Sequence, residues 1–179
     1  GGDEYRKECE KLLGCYHNEW YEKKFWKQFL TRAKILLLVR IAMVYEDCDM
    51  IKDAILILEN ILEQLKASKV MLDDRFRTSL IVVANLTACY GKMGELSKCI
   101  ELCEFGIKLC MENGRGNGIP VMLINKSEAL VEIGIIEKVE ACNKYFKQAL
   151  YISDLLNVTF AKQYILREWC NQKEMYDLN

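Results

Sequence analysis

The chain has 179 residues, of which 51% are hydrophobic and 28% charged, and its formal net charge is −1. This composition is typical of a folded protein with a sizeable core. The balanced charge argues against a chain that grips nucleic acid through a basic surface of its own. No apolar run approaches the ~20 residues of a membrane span, and no signal peptide is visible. Because Gly1-Gly2 resembles a cloning scar, we expect a natural N-terminal part to be missing.

Residues 3–31 are predicted to form a first helical hairpin. Its second half carries Tyr21, Phe25 and Phe29 at steps of four, which predicts a packed apolar stripe; an aromatic ligand platform is the alternative. His17, the one histidine of the chain, is expected to be a surface or packing residue. A single histidine supplies neither a histidine-based triad nor a two-histidine metal site.

Three further helical pairs are predicted, over residues 32–67, 75–112 and 119–156. The middle pair has the clearest pattern, with Thr87 and Tyr90 on its first helix, Cys99 and Gly106 on its second, and a turn at Met93-Gly94-Glu95. The same layout recurs upstream and downstream at a step of roughly 40–45 residues, which indicates a helical solenoid.

No strand-like alternation occurs, so we predict an all-α fold: a right-handed, tetratricopeptide-like array of eight or nine helices. Residues 3–172 are expected to form a single domain, closed by a helix at 158–172 and followed by a frayed tail at 173–179. The glycine-rich stretch 113–118 is expected to be a connector. It is not a phosphate loop, because it lacks a preceding strand and a GKS or GKT ending.

The nine cysteines indicate reduced thiols rather than a disulfide framework. Most occupy apolar positions of helical patterns, as Cys89, Cys99, Cys103 and Cys142 do, which is typical of a cytoplasmic protein. Cys99 and Cys103 lie one turn apart, so a soft-metal site is an alternative to two buried packing residues. The turn-borne CxxC pairs of zinc modules are absent, and we expect neither a metal nor a cofactor.

In each of the three pairs a polar residue takes the same position of the first helix, embedded in apolar sequence: Arg40, Asn85 and Asn125. Burying such groups is costly unless they find partners. If the first helices align, these side chains form a row along a hollow face, where asparagine can bind a peptide backbone and arginine a carboxylate. The alternative is that each residue bonds neighbouring helices or water. The full set predicted to bind a peptide is Arg40, Met43, Asn85, Ala88, Lys92, Asn125 and Glu128.

The middle pair resembles the tetratricopeptide repeat. Leu86, Tyr90 and Gly106 take positions of that pattern, while Thr87 replaces the usual glycine and Cys99 the usual alanine. With the long repeat step, these departures are similar to the degenerate repeats of peptide-pheromone receptors of Gram-positive bacteria, the Rgg and PlcR-like group. The likeness extends over about residues 15–170.

That resemblance implies a cytoplasmic, quorum-sensing transcriptional regulator that binds DNA only through an N-terminal helix-turn-helix absent from this chain. It implies that the repeat domain binds a short peptide, that Asn85 and Asn125 hold the peptide backbone, and that the protein is a homodimer. Binding would shift a conformational population. Two alternatives stay open: a scaffold that binds an extended segment of a partner protein, and an enzyme, for which no convergent acid–base site is visible.

Overall fold

The structure is a computed structural model that describes residues 31–67, 72–159 and 161–167, together with Glu4, Lys7, Lys11 and Trp26. These ranges consist of helices and turns, and no strand occurs in them. The prediction of an all-α fold is therefore confirmed for this part of the chain. His17 and the predicted stripe of Tyr21, Phe25 and Phe29 lie outside the described residues.

The chain divides into two compact units, Gly1–Lys92 and Met93–Asn179. The helices of the first unit are α1 (Arg32–Asp47), α2 (Ile51–Ala67) and α3 (Leu72–Lys92). Those of the second are α4 (Leu96–Glu112), α5 (Ile119–Glu132), α6 (Lys138–Ala141) and α7 (Lys147–Leu155); residues 161–167 are helical as well. The predicted pair over 32–67 has the outer bounds of α1 and α2, and the pair over 75–112 differs from α3 and α4 in that α3 begins at Leu72.

In the first unit, short connections make α2 antiparallel to both α1 and α3. Thr31 caps α1, since its hydroxyl accepts a hydrogen bond from the backbone N–H of Lys34 at 3.3 Å. The helix ends where Asp49 takes a left-handed φ of 63°, and α2 follows at once. Both flanks of α2 are buried, with Leu58 and Ile61 fully enclosed. The Tyr90 hydroxyl of α3 donates to the Glu59 carboxylate of α2, so α2 is the packing centre of this unit.

In the second unit, α4 and α5 pack at small residues. A Cβ atom on Gly106 would lie 2.9 Å from the Sδ atom of Met122, so the absent side chain permits a close approach of the two helices. From Ile124 on α5, the core continues through Phe146, Ala149 and Ile165, and all four residues are fully buried. The residues 161–167 thus contribute to the same core as α5 and α7.

A π-helical turn, Cys142–Phe146, joins α6 to α7. Ala141 and Phe146 are both buried although they are five residues apart, whereas Phe146, Ala149 and Ser153 follow at ordinary helical steps. Five residues in an α-helix would rotate the second side chain well away from the first, and the wider π turn keeps both on the core side. The second helix of the pair predicted over 119–156 is therefore interrupted.

Within the described residues, no helix combines the length and the apolar character needed to cross a bilayer.

Candidate functional site

One side of α1 presents apolar side chains and an arginine to solvent. Leu36 and Leu37 are 38% and 37% exposed, Arg40 is exposed and Met43 is half-buried. These positions share one side because they follow the helical period. The Nη1 group of Arg40 donates to the Met43 sulfur at 3.9 Å, a weak acceptor, and no described carboxylate lies within ion-pairing distance of the guanidinium. Arg40 thus stands on an apolar surface, and none of the described residues compensates its charge.

The matching side of α3 is half-buried and contains the predicted asparagine. Ile81, Asn85 and Ala88 follow each other at helical steps on this side, between exposed Arg77 and exposed Lys92. At 1.5 Å per residue, the stretch from Arg77 to Lys92 is about 22 Å long, which about seven residues of extended chain would cover. We call this side of α3, together with the solvent-facing side of α1, the α1/α3 face.

Asn85 uses only part of its hydrogen-bonding capacity within the protein. Its Nδ2 group donates to the backbone carbonyl of Ile81 at 2.8 Å, one turn back in the same helix. Among the described residues, no donor contacts its Oδ1 atom. An amide carries two donor hydrogens and an acceptor oxygen, so the described residues leave one N–H and the oxygen of Asn85 without a bond.

The register of α1 against α3 brings two predicted residues to one level. The helices are parallel, and the Lys92 ammonium pairs with the Glu46 carboxylate at 2.9 Å near their C-terminal ends. Counting back along each helix at 1.5 Å per residue places Arg40 and Asn85 at heights that differ by only ~1–2 Å. The sequence did not identify Glu46. The signal for it was the repeat step, which places Glu46 and Lys92 near equivalent positions of neighbouring first helices.

Lys92 is engaged within the unit by a small charged cluster. The Glu46 carboxylate is 14% exposed, whereas the side chain of Lys92 is 51% exposed. The hydrogen bond that Lys92 donates to the Glu46 carboxylate raises the pKa of Lys92. Burial, reinforced by the Glu46 charge, raises the pKa of the adjacent Cys89 thiol to about 12. The cluster holds the C-terminal ends of α1 and α3 together. The charge that Lys92 presents to a ligand is already compensated by Glu46.

Asn125 and Glu128, the two predicted residues of the second unit, lie on α5. Asn125 is buried, with 9% exposure. Its backbone carbonyl accepts a hydrogen bond from the Cys99 thiol at 3.9 Å. Glu128 is half-buried and has protein partners of its own. Asn125 is thus much less accessible to a ligand than Asn85, even though the two occupy the same repeat position.

The paired cysteines of α4 lie inside the second unit. Cys99 and Cys103 are 1% and 0% exposed. A hydrogen bond from Cys103 lowers the pKa of Cys99, while burial opposes that shift. In the described part of the chain, no three cysteine, histidine, aspartate or glutamate side chains come together as a metal site would require. Both thiols therefore serve as small core residues at the contact with α5.

An open depression on the described residues lies elsewhere, on the outer side of α6 and α7. It has a volume of about 470 Å³ and is lined by Glu140, Asn143, Lys144, Lys147, Gln148 and Tyr151. All six side chains project from one continuous helical segment and are mostly polar. Within it, the Lys147 ammonium donates to Asn143 at 2.8 Å. A selective ligand site normally has apolar walls with a few fixed polar groups, so the α1/α3 face is the better candidate.

These features define a helical-repeat fold of the tetratricopeptide type. No protein-family model and no curated protein matches the sequence. A solved structure with a similar fold is the crystal structure of Bacillus thuringiensis PlcR in complex with the peptide PapR7 and DNA. The TM-score is 0.70 at 17% identity, over 92% of this chain and 54% of the other. The chain thus spans about half the length of that protein, and its resemblance to the PlcR-type regulators is one of fold.

Proposed function

We propose that this chain is the peptide-sensing part of a transcriptional regulator of the PlcR and Rgg type, and that it has no catalytic activity. The observation that carries the proposal is the α1/α3 face, where Arg40 and the half-satisfied amide of Asn85 lie at one level on an otherwise apolar surface. The similar fold was captured with a peptide and DNA, which supports the same ligand class here.

In this proposal the peptide lies extended along the α1/α3 face. Asn85 binds its backbone through the free N–H and oxygen, and Leu36, Met43 and Ala88 contact its apolar side chains. Asn125 is buried, and half-buried Glu128 has partners within the protein. In this proposal both residues therefore support α5 in the second unit rather than make the first contacts with the peptide. A peptide that binds one conformation more tightly shifts the population toward it. A helix-turn-helix encoded elsewhere in the gene would convert that shift into altered DNA binding.

The cellular setting belongs to the same proposal. The described cysteines Cys48, Cys89, Cys99, Cys103 and Cys110 are free thiols, which suits the reducing cytoplasm, where an imported quorum-sensing peptide would be met. A homodimer stays a prediction. So does the rival scaffold function, in which the same face binds an extended segment of a partner protein.

The test begins with an unbiased selection. The chain is incubated with a pool of seven-residue peptides, acetylated and amidated at their ends, and bound peptides are identified by mass spectrometry after gel filtration. An enriched peptide is then titrated by calorimetry. Asn85→Ala should weaken binding about tenfold, since a ligand hydrogen bond is lost, and leave the melting temperature nearly unchanged.

Asn60 provides a matched control. Its Nδ2 group donates to the carbonyl of Leu56 at 2.7 Å, the same bond one turn back that Asn85 makes, but on α2 in the same unit. Asn60→Ala should therefore change neither affinity nor folding. The proposal is wrong if no peptide is enriched, if both variants weaken binding equally, or if Asn85→Ala unfolds the protein.

A further inference from the structure

Within the proposed peptide site, and resting on that function, we infer that Arg40 selects ligands bearing an acidic side chain in the middle of the peptide. Binding of the backbone by Asn85 is indifferent to sequence, whereas a guanidinium on an apolar face distinguishes glutamate from glutamine. The inference therefore concerns which peptides bind and leaves the ligand class as already proposed.

The first step is that no described residue forms an ion pair with Arg40. The side chain is exposed, and its contact within the protein is the Met43 thioether at 3.9 Å. A carboxylate accepts two parallel charge-assisted hydrogen bonds from a guanidinium, whereas a thioether cannot accept such a pair. No described carboxylate lies close enough to provide them.

The second step is the balance of charge around Arg40. Glu46 is mostly buried and paired with Lys92 at 2.9 Å, so it neither neutralises Arg40 nor repels a ligand strongly. Asp47 lies on the same side of α1, about 10 Å along the helix, and Arg77 is about 12 Å away along the direction of the helices. Both exceed the ~8 Å screening length at physiological salt. The charges of the described residues therefore leave the local potential at Arg40 positive.

The third step is position. Arg40 is level with Asn85, near the midpoint of the ~22 Å stretch between Arg77 and Lys92. A peptide that extends along the stretch and is bound by Asn85 at its centre brings its central side chains, rather than its ends, next to Arg40. Leu36 and Leu37, more than one-third exposed, lie about one turn before Arg40 on the solvent-facing side of α1. They would exclude water from the ion pair once the ligand is bound, which strengthens the pair.

The experiment compares two pools of apolar heptapeptides, acetylated and amidated, that differ in a single central residue, Glu or Gln. With the full chain, we expect the Glu pool to be enriched about tenfold over the Gln pool, the size expected for a charged hydrogen bond. Arg40→Gln should reduce the ratio to about one while retaining binding of the Gln pool. Lys108→Gln, which removes an exposed charge from α4 (side-chain exposure 74%), should leave the ratio unchanged.

A third pool, with Gln at the centre and a free C-terminal carboxylate, separates the two sources of negative charge. The inference fails if this pool competes as well as the Glu pool, if Arg40→Gln leaves the ratio high, or if wild type binds the Glu and Gln pools equally. Binding of both pools without preference would spare the proposed function. Binding of no pool would contradict the proposed function itself.

Discussion

At the ends of α1 and α3, three side chains with different chemistry stabilise one helix contact. Glu46 accepts a salt bridge from Lys92 at 2.9 Å and also lies beside the buried thiol of Cys89. A carboxylate with 14% exposure would be costly to desolvate alone. The ammonium compensates its charge, and the thiol stays neutral because burial and the carboxylate both oppose ionisation.

This neutral thiol predicts a pH dependence of stability. The pKa of Cys89 is about 12 in the folded protein against an ordinary value of 9.0. Above pH 9 the unfolded chain loses a proton that the folded chain keeps, so the free energy of unfolding should fall by up to ~1.4 kcal/mol per pH unit from this group. Urea titrations at increasing pH should show a shallower fall for Cys89→Ala than for wild type.

Below pH 8 the gap between wild type and Cys89→Ala should be constant, because the thiol is neutral in both states. Parallel curves through the alkaline range would contradict the inferred shift.

At the same scale, the sequence predicted that Arg40, Asn85 and Asn125 share one repeat position, and it left open whether each side chain meets a ligand or bonds neighbouring helices. The first follows from the repeat step, since equivalent positions of parallel neighbours meet at one height. Burial depends on how closely a different helix approaches, and α4 packs against α5 through Cys99 and Gly106. No local pattern around Asn125 reports that distance.

Two glycines in helices show how far packing decides the effect of one methyl group. On α3, a Cβ atom at Gly91 would meet no atom within 4 Å, whereas at Gly106 it would lie 2.9 Å from the Met122 sulfur. Met122 is fully buried, so it has little room to move aside. The same substitution should therefore have opposite consequences in α3 and α4.

We expect Gly91→Ala to raise the free energy of unfolding by about 0.5–1 kcal/mol, the usual advantage of alanine over glycine in a helix. Gly106→Ala should lower it by about 1 kcal/mol, since overpacking outweighs that gain. Chemical denaturation measures both, and Met122→Ala should relieve part of the Gly106→Ala loss. Equal effects at the two glycines would show that the α4–α5 contact is looser than described.

Among the elements, helix positions were predictable because apolar residues recur at the helical period over long stretches, as in α2 and α4. The π turn was not predicted, because both its neighbours have helical patterns. The π turn corresponds in the sequence to a step of five residues between Ala141 and Phe146.

At the scale of the whole molecule, each of the two units contains its own buried residues: Leu58 and Ile61 in the first, Ile124 and Phe146 in the second. The net charge of the full sequence is −1. Non-specific DNA binding depends on the number of phosphates that lysine and arginine neutralise. A chain without an excess of positive charge is therefore poorly suited to bind DNA unaided.

We accordingly expect this chain to leave a short DNA duplex unshifted in gel electrophoresis at physiological ionic strength, with or without an enriched peptide. If the proposed function holds, a protein that joins this chain to its helix-turn-helix domain should shift an operator duplex. Retardation by the chain alone that weakens steeply with added salt would reveal a basic surface and contradict the assignment of DNA binding to another domain.

The π turn between α6 and α7 bears on how homologues of this protein should be aligned. A π-helical turn closes at i→i+5, so it holds one residue more than an α-helical turn. An alignment that places no gap between Ala141 and Phe146 would assign every downstream position to the wrong side of the helix in relatives that lack the extra residue. Relatives would then be recognised more reliably by matching the two halves of this hairpin separately.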